Sequence, residues 1–432
     1  MTTVKNTGQP DRQPSNELPA ATLETFVENY FNRRQAYLRL YADYGRPLYV
    51  LEPKVLTRQA GRFKRAFQAV LPDTGFYFAV KSNNHPDVAR TLLEAGFGLD
   101  VSSGLELKMA LDVNAENIVF SGPGKTADEL SLAVAHPGRV TVLIDSFVEL
   151  QRLEALAAAR GTDLRAGVRL CTNPSGLWRK FGILPAQLPE FYQAARQCPH
   201  VLLQGLQFHT SWNLTPAAHA DFIRSLGAVL AGMPDDFLRQ LAFIDIGGGY
   251  WPEQGEWLHQ LETASAEEAR SHLENAAGQC RPHYRLAAEN IDVFAAVIGR
   301  AVAEHLLPRV DCRICFEPGR WICHEAMQVL MRVQDKKGED LVITDAGTNA
   351  IGWERFETDY FPVLNLTRPS LTERPCHVLG ALCTPHDVWG FSYFGQDIQI
   401  DDILLVPAQG AYTYSLRQHF IKPPPAVVIL EE

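Results

Sequence analysis

The strongest constraint in this chain is a regular alternation of short apolar runs with helical patterns. Eight runs read as strands: FYFAV (76–80), FGLDVS (97–102), NIVFSG (117–122), VTVLID (140–145), LRAGVRL (164–170), LLQGLQF (202–208), LAFIDIG (241–247) and CRICFEP (312–318). The intervening segments, such as HPDVARTLLEAG (85–96) and SFVELQRLEALAAARG (146–161), place apolar residues three and four apart, as an amphipathic helix requires. Strands that are apolar on both faces and are joined by helices form a parallel sheet covered on its outside. Eight such units in succession predict an α/β fold, a (β/α)8 TIM barrel. Periodicity does not show closure, so a doubly wound open sheet is the alternative.

The flanks differ from this pattern. Residues 1–19 are polar and proline-containing, which predicts a flexible tail. Over 20–46, the spacing of Leu23, Phe26, Val27, Tyr30, Phe31, Tyr37, Leu38 and Leu40 predicts one amphipathic helix that stops before Gly45-Arg46-Pro47 and packs on a β domain. The barrel is assigned to 47–324, including LYVLE. From 325 to 432, EAMQVLMRVQDK, DLVITDAG, DDILLVPAQ and AVVIL are strand-like, with no helix-length pattern between them, and predict a second, mainly antiparallel β domain.

Charge and cysteine usage narrow the function class. Lys plus Arg number 40 against 50 Asp plus Glu, a net charge of −10, so the overall field repels nucleic acid and anionic lipid. No apolar stretch approaches the roughly 20 residues needed to cross a bilayer. The opening residues are polar and lack the apolar core of a secretion signal, so the eight cysteines read as reduced thiols of a cytoplasmic protein. Cys312 and Cys315 form a CxxC, but a zinc ribbon needs a second pair, and no metal site is expected.

In a (β/α)8 barrel the working side chains follow the C-terminal ends of the strands. Here those positions hold Lys81, Asp100, Ser102, Arg169, His209, Gly247-Gly248-Gly249 and Glu317-Pro318-Gly319-Arg320. Burial penalises a lysine cation, so Lys81 is expected to have a lowered pKa and a nucleophilic amine, with a solvated surface lysine as the plain alternative. Three glycines after a strand let backbone N–H groups approach a phosphate, although a tight turn needs the same residues. A strand-end histidine offers a flat ring for stacking or is simply a core residue. A buried Glu317 needs a cation, supplied by a protonated pyridine nitrogen or by Arg169 or Arg320. An imine-forming lysine, a phosphate nest, a stacking ring and a buried acid together meet the requirements of pyridoxal 5'-phosphate.

With those residues in view, the chain resembles the fold type III (alanine-racemase-fold) pyridoxal phosphate decarboxylases, the group of diaminopimelate, ornithine and arginine decarboxylases. PLYVLE, FAVKSNNHPDV, GFGLDVSSGLEL, RLCTNP with RKFGI, LQFHTSW, IDIGGGY, CFEPGRW, TDAGTN, LCTPHD and GAYTYSL match in order over roughly residues 45–420. The resemblance implies removal of the α-carboxylate of an amino acid or conjugated amino acid. It makes Lys81 the residue that bonds the cofactor and His209 the ring stacked on it. It assigns Gly247, Gly248, Gly249, Gly319 and Arg320 to the phosphate end, Glu317 to the pyridine nitrogen with Asp100 and Arg169 nearby, and Tyr412 to the phosphate or substrate side. It also implies a homodimer in which Cys383, the candidate proton donor, comes from the β domain of the partner subunit.

Two departures from the family pattern bear on binding. The usual H-x-G-S phosphate-site serine is Trp212 here, with Ser211 one place earlier. The acid that follows the cysteine in diamine-forming members is Thr384, while the later acid of that motif is kept as Asp387. Losing a charge partner for a distal ammonium disfavours a standard diaminopimelate or ornithine substrate. CTPxD resembles the motif of biosynthetic-cluster decarboxylases that act on modified amino acids, including siderophore precursors. Arg179 and Arg355 are candidates to meet a distal carboxylate, with a surface arginine as the plain alternative for each, and Arg320 is a further candidate on the substrate side. The alternatives are a standard diaminopimelate or basic amino-acid decarboxylase, a racemase, which tends to carry Arg where Glu317 stands, and an inactive regulatory homologue.

Overall fold

A computed structural model describes residues 17–258, 280, 282–352 and 362–431. The first strand, β1 (Leu48–Leu51), precedes a run of seven parallel strands: β2 (Thr74–Ala79), β3 (Gly98–Val101), β4 (Ile118–Phe120), β5 (Val140–Ile144), β6 (Leu164–Leu170), β7 (Val201–Phe208) and β8 (Phe243–Asp245). A two-stranded ribbon, β9 (Glu256–Leu258) and β10 (Tyr284–Leu286), comes next, and β11 (Arg313–Phe316) completes the set. Closure is explicit: β11 pairs in parallel with both β2, Ile314 opposite Thr74, and β8, Cys315 opposite Asp245. The open-sheet alternative is thereby excluded, and all eight strands of the barrel coincide with the eight apolar runs.

Local chemistry explains where the helices start. Ser103, Thr126, Ser146 and Asn290 each accept a backbone N–H of the helix they precede, and Thr126 with Glu129 forms a reciprocal capping box. The barrel interior is filled, not hollow. A Cβ at Gly205 would lie 2.0 Å from the Phe243 ring, so the bare backbone there makes room for the ring.

The second domain is a sheet in the order β13-β15-β16-β14-β17-β12-β1-β18, with β12 (Met327–Lys336), β13 (Leu341–Thr344), β14 (Val363–Asn365), β15 (Glu373–Leu379), β16 (Val388–Phe394), β17 (Ile403–Val406) and β18 (Ala426–Ile429). Most of its pairings are antiparallel, and β1–β18, β13–β15 and β14–β16 are parallel. LYVLE therefore belongs to this sheet and not to the barrel, a correction to the boundary expected at residue 47. Leu48 pairs with Leu330 and Ala426, so the strand's partners lie at the far end of the sequence. Its side chains alternate between two cores: Tyr49 and Leu51 face the barrel side, Leu48 and Val50 the N-terminal helices.

The single helix expected over 20–46 is two, Ala20–Asn32 and Arg34–Tyr44, broken at Arg33. The break turns the Arg33 guanidinium onto the buried carboxylate of Glu52, which also accepts from Tyr37 Oη at 2.8 Å and Gln328 Nε2 at 3.1 Å. Both helices pack on the sheet through Val27, Tyr30, Phe31 and Tyr37 against Leu330, Leu364 and Leu405. Of the tail expected over 1–19, residues 1–16 lie outside the described residues. Leu18 is buried and its N–H donates to the His283 carbonyl at 2.8 Å.

Candidate active site

The strand ends converge on one mouth of the barrel. Lys81 sits in the short turn Val80–Ser82 after β2, a turn closed by the Ser82 hydroxyl donating to the Ala79 carbonyl at 2.7 Å. Its Nζ lies 3.9 Å from Asp100 Oδ2 at the end of β3, and Asp100 Oδ1 accepts from Ser121 Oγ at 2.7 Å. Burial alone lowers the Lys81 pKa, but Asp100, Tyr412 and Glu317 outweigh it and the net direction is upward. The lowered amine expected from the sequence is thus corrected: Asp100, the largest of the opposing influences, favours the resting lysine as a cation.

The floor of the site carries one more acidic group than the sequence reading named. Glu317, just past β11, is buried and receives Gln207 Nε2 at 3.4 and 3.3 Å on its two oxygens. Asp245, the last residue of β8, is fully buried beside it and was missed in the sequence. The available signal was an acid inside an otherwise apolar run, at the C-terminal end of a barrel strand. Burial pushes the Asp245 carboxyl up to about 7, and burial with the nearby Asp100 and Asp245 drives Glu317 well above the carboxylate range. The two acids therefore titrate as a pair. Among the described residues, Asp100 Oδ2, Asp245 Oδ2 and Gln207 Oε1 are buried without a hydrogen-bond partner. An acidic pocket with orphaned acceptors fits a cationic N–H group, which a pyridinium ring supplies.

His209 follows β7. Its Nδ1 accepts the Gly248 N–H at 3.1 Å and its Nε2 lies 3.0 Å from Ser211 Oγ. Burial first, then Lys81 and Arg169, hold its pKa well below the ordinary histidine value, so the ring is neutral. With Nδ1 an acceptor, the proton is on Nε2 and is donated to Ser211. The Arg169 guanidinium lies 4.4 Å over the Phe181 ring.

The glycine turn is partly spent on internal bonds. Gly247 N–H donates to Asp245 Oδ1 at 2.8 Å, and Gly248 N–H to His209, whereas the Gly249 N–H has no internal acceptor among the described residues. Gly247 and Gly249 have φ +72° and +87°, and a Cβ at Gly248 would meet the Glu317 carbonyl at 2.3 Å. Side chains are excluded at all three positions. Next to this turn, Arg320 lies 4.4 Å over Trp251, two residues past Gly249, and 4.9 Å over Tyr412, and the Tyr412 N–H donates to the Ser82 carbonyl at 2.8 Å. Gly319 packs on Ser82, so this end of the mouth is tied to the lysine turn.

The remaining candidates stand apart. Cys383 is exposed on the loop between β15 and β16, with Thr384 beside it. Asp387 is buried: one oxygen accepts the Thr348 N–H at 2.7 Å and hydroxyl at 2.9 Å, the other the Leu382 N–H at 2.6 Å. Its carboxylate braces the loop, a correction to its reading as a substrate partner. Arg179 is exposed in the turn Gly176–Lys180, and Arg355 lies outside the described residues. Beside Ser211, a cavity of about 450 Å³ opens between Trp178, Trp212 and Phe222.

A closed (β/α)8 barrel whose mouth gathers a lysine, a neutral histidine, an acid pair and a glycine turn defines a cofactor-dependent enzyme of the barrel class. Residues 56–324 match the family model described as pyridoxal-dependent decarboxylase, pyridoxal binding domain. The chain is similar to the diaminopimelate decarboxylase of Aquifex aeolicus, 24% identical over 91% of this chain and 88% of that protein. It is also similar to a 2-[(L-alanin-3-ylcarbamoyl)methyl]-2-hydroxybutanedioate decarboxylase of Staphylococcus aureus, 25% identical over 79% and 84%. Its fold is that of Helicobacter pylori diaminopimelate decarboxylase, solved in complex with L-lysine, with a TM-score of 0.74 and 22% identity over 91% of this chain and 94% of the other. The chain belongs to the pyridoxal-dependent decarboxylase family, and is a pyridoxal 5'-phosphate-dependent carboxy-lyase.

Proposed function

We propose that this enzyme decarboxylates a modified or conjugated amino acid, with each active site completed by Cys383 of a second subunit. The observation that carries the substrate reading is the β15–β16 loop. Thr384 is uncharged, and the Asp387 carboxylate is occupied by three hydrogen bonds from Thr348 and Leu382, so neither offers a free acid to a distal ammonium. The similarity to a relative named for a carbamoyl-linked amino acid supports the same class.

The cofactor, when bound, supplies an electron sink for the bond to the departing carboxylate. Lys81 is the residue that holds it covalently, and Asp100 keeps the amine charged and aimed at the mouth until then. The Glu317–Asp245 pair meets the ring nitrogen with a carboxylate while retaining a proton within the pair. His209 presents a neutral face, which stacks without adding positive charge. Gly249, Gly319, Arg320, Ser211 and Tyr412 hold the phosphate end. Cys383 delivers the proton that replaces the carboxylate. The free thiols support a cytoplasmic enzyme.

The test is a carbon dioxide release screen with diaminopimelate, lysine, ornithine and arginine beside carbamoyl-linked and other conjugated amino acids. Turnover confined to the conjugates is expected. Diaminopimelate turnover matching the best conjugate would refute the reading of Thr384. Borohydride reduction followed by peptide mapping should place the cofactor on Lys81, and Lys81→Ala should abolish both the label and turnover.

A further inference from the structure

The family's phosphate-site serine is absent from this chain. Trp212 stands in its place and turns outward, 56% exposed with φ +55°. A different line of hydrogen bonds reaches the same end of the site, and it begins in the core. His219, on the helix Ala217–Leu230, is fully buried and stacks on Tyr250 with ring centroids 4.9 Å apart and planes 12° apart. A carbonyl oxygen carries no proton, so the 2.9 Å contact between His219 Nε2 and the Gly248 carbonyl has the imidazole as donor.

A trans peptide is planar, with its C=O and N–H pointing in opposite directions. Anchoring the Gly248 carbonyl to the core therefore turns the N–H of the same peptide unit, that of Gly249, away from the core. That N–H is the member of the glycine turn with no internal acceptor among the described residues. Gly249 also packs on the Thr210 carbonyl, one residue before Ser211, so the two potential donors are neighbours. The Ser211 oxygen already accepts from His209 Nε2, which leaves its own hydroxyl proton to be given elsewhere. Burial brings the His219 pKa down to about 4, which keeps the ring a neutral donor across the working range.

We propose that His219 is a positioning residue for the phosphate end of the site: through the Gly248–Gly249 peptide it aims the Gly249 N–H, beside the Ser211 hydroxyl, at the phosphate of pyridoxal 5'-phosphate. This rests on the site reading given above. It assigns to the helix after β7 the work that the missing serine does elsewhere in the family.

The test compares the dissociation constants of pyridoxal 5'-phosphate and of pyridoxal, which lacks the phosphate, for the wild type and for His219→Phe, His219→Gln and Ser211→Ala. One lost hydrogen bond to a charged group predicts about tenfold weaker binding of the phosphate form in His219→Phe. Pyridoxal affinity should stay within about twofold. Gln places an amide N–H where the imidazole had its own, so His219→Gln should recover most of the loss. Equal weakening of both ligands in His219→Phe, or His219→Gln as poor as His219→Phe, would overturn the inference while leaving the cofactor assignment intact. Wild-type protein that binds neither ligand would instead sink the cofactor assignment. Should His219→Phe fail to fold, Ser211→Ala carries the test, since an absence of phosphate-selective loss there defeats the proposal.

Discussion

At the scale of single residues, burial favours the neutral form of His219, His324 and the Asp245 carboxyl, with opposite consequences for acid stability. Burial brings His219 down to about 4 and His324 to about 3 from the ordinary 6.5. As pH falls from 6.5 toward 4, the unfolded chain takes up a proton on each that the native state refuses, so native stability is lost on acidification. Asp245, pushed up to about 7, acts in the opposite sense: the native state keeps a proton that the unfolded chain releases above about 4, and this contribution fades as pH rises through 7. His219→Gln removes one of the acid-sensitive groups and leaves Asp245 alone. Between pH 7 and pH 4 the wild type should therefore lose about 3 kcal/mol more unfolding free energy than His219→Gln. Chemical denaturation at the two pH values measures this, and equal losses would refute it. The identity of the site residues was legible in the sequence because Lys81, His209 and Glu317 end strands whose pattern is unmistakable. Their charge states were not, because Lys81 is favoured as a cation by Asp100, a group from a separate segment that only the closed barrel brings to it.

At the scale of elements, the barrel was legible because each strand and helix carries its own period and its own cap. What local pattern does not encode is the partner. LYVLE reads as an apolar strand in either domain, and only its pairing with Leu330 and Ala426 assigns it. The break at Arg33 has no glycine or proline to announce it, and the buried Glu52 that its guanidinium meets follows β1, a strand of the second domain. Lys125 shows how such non-local bonds hold elements in register. Its ammonium donates to the Gly122 carbonyl at 2.7 Å, to the Leu143 carbonyl on β5 at 2.8 Å, and to Glu149 on the next helix at 2.7 Å, with both side chains 1% exposed. Lys125→Met leaves Glu149 buried without its partner and should destabilise the protein by about 3–5 kcal/mol, whereas Lys125→Met with Glu149→Leu should recover most of that. Thermal and chemical denaturation of the single and double variants test the difference. A single variant as stable as the wild type would mean that the pair does not join β5 to the helix.

At the scale of the whole molecule, the two domains divide the chemistry unequally. The barrel supplies the lysine, the histidine, the acid pair and the glycine turn, and the β domain contributes Tyr412 through a bond to Ser82. Cys383 belongs to the same β domain but is exposed on the β15–β16 loop, and among the described residues the hydrogen bonds of that loop run to Thr348, Ala346 and its own backbone, not to the strand ends of the barrel. An exposed thiol on a loop braced by a buried aspartate is presented outward in a fixed geometry, which suits delivery to a second copy of the chain. A twofold dimer would then hold two sites, each with the Lys81 of one subunit and the Cys383 of the other. The consequence is quantitative. Lys81→Ala and Cys383→Ala homodimers should both be inactive. After random subunit exchange at equal concentrations, half the dimers are mixed, and each mixed dimer has one site carrying both lesions and one carrying neither, so activity should return to about a quarter of the wild-type value. If Cys383 serves the barrel of its own subunit, every site in the mixture keeps one lesion and exchange restores nothing.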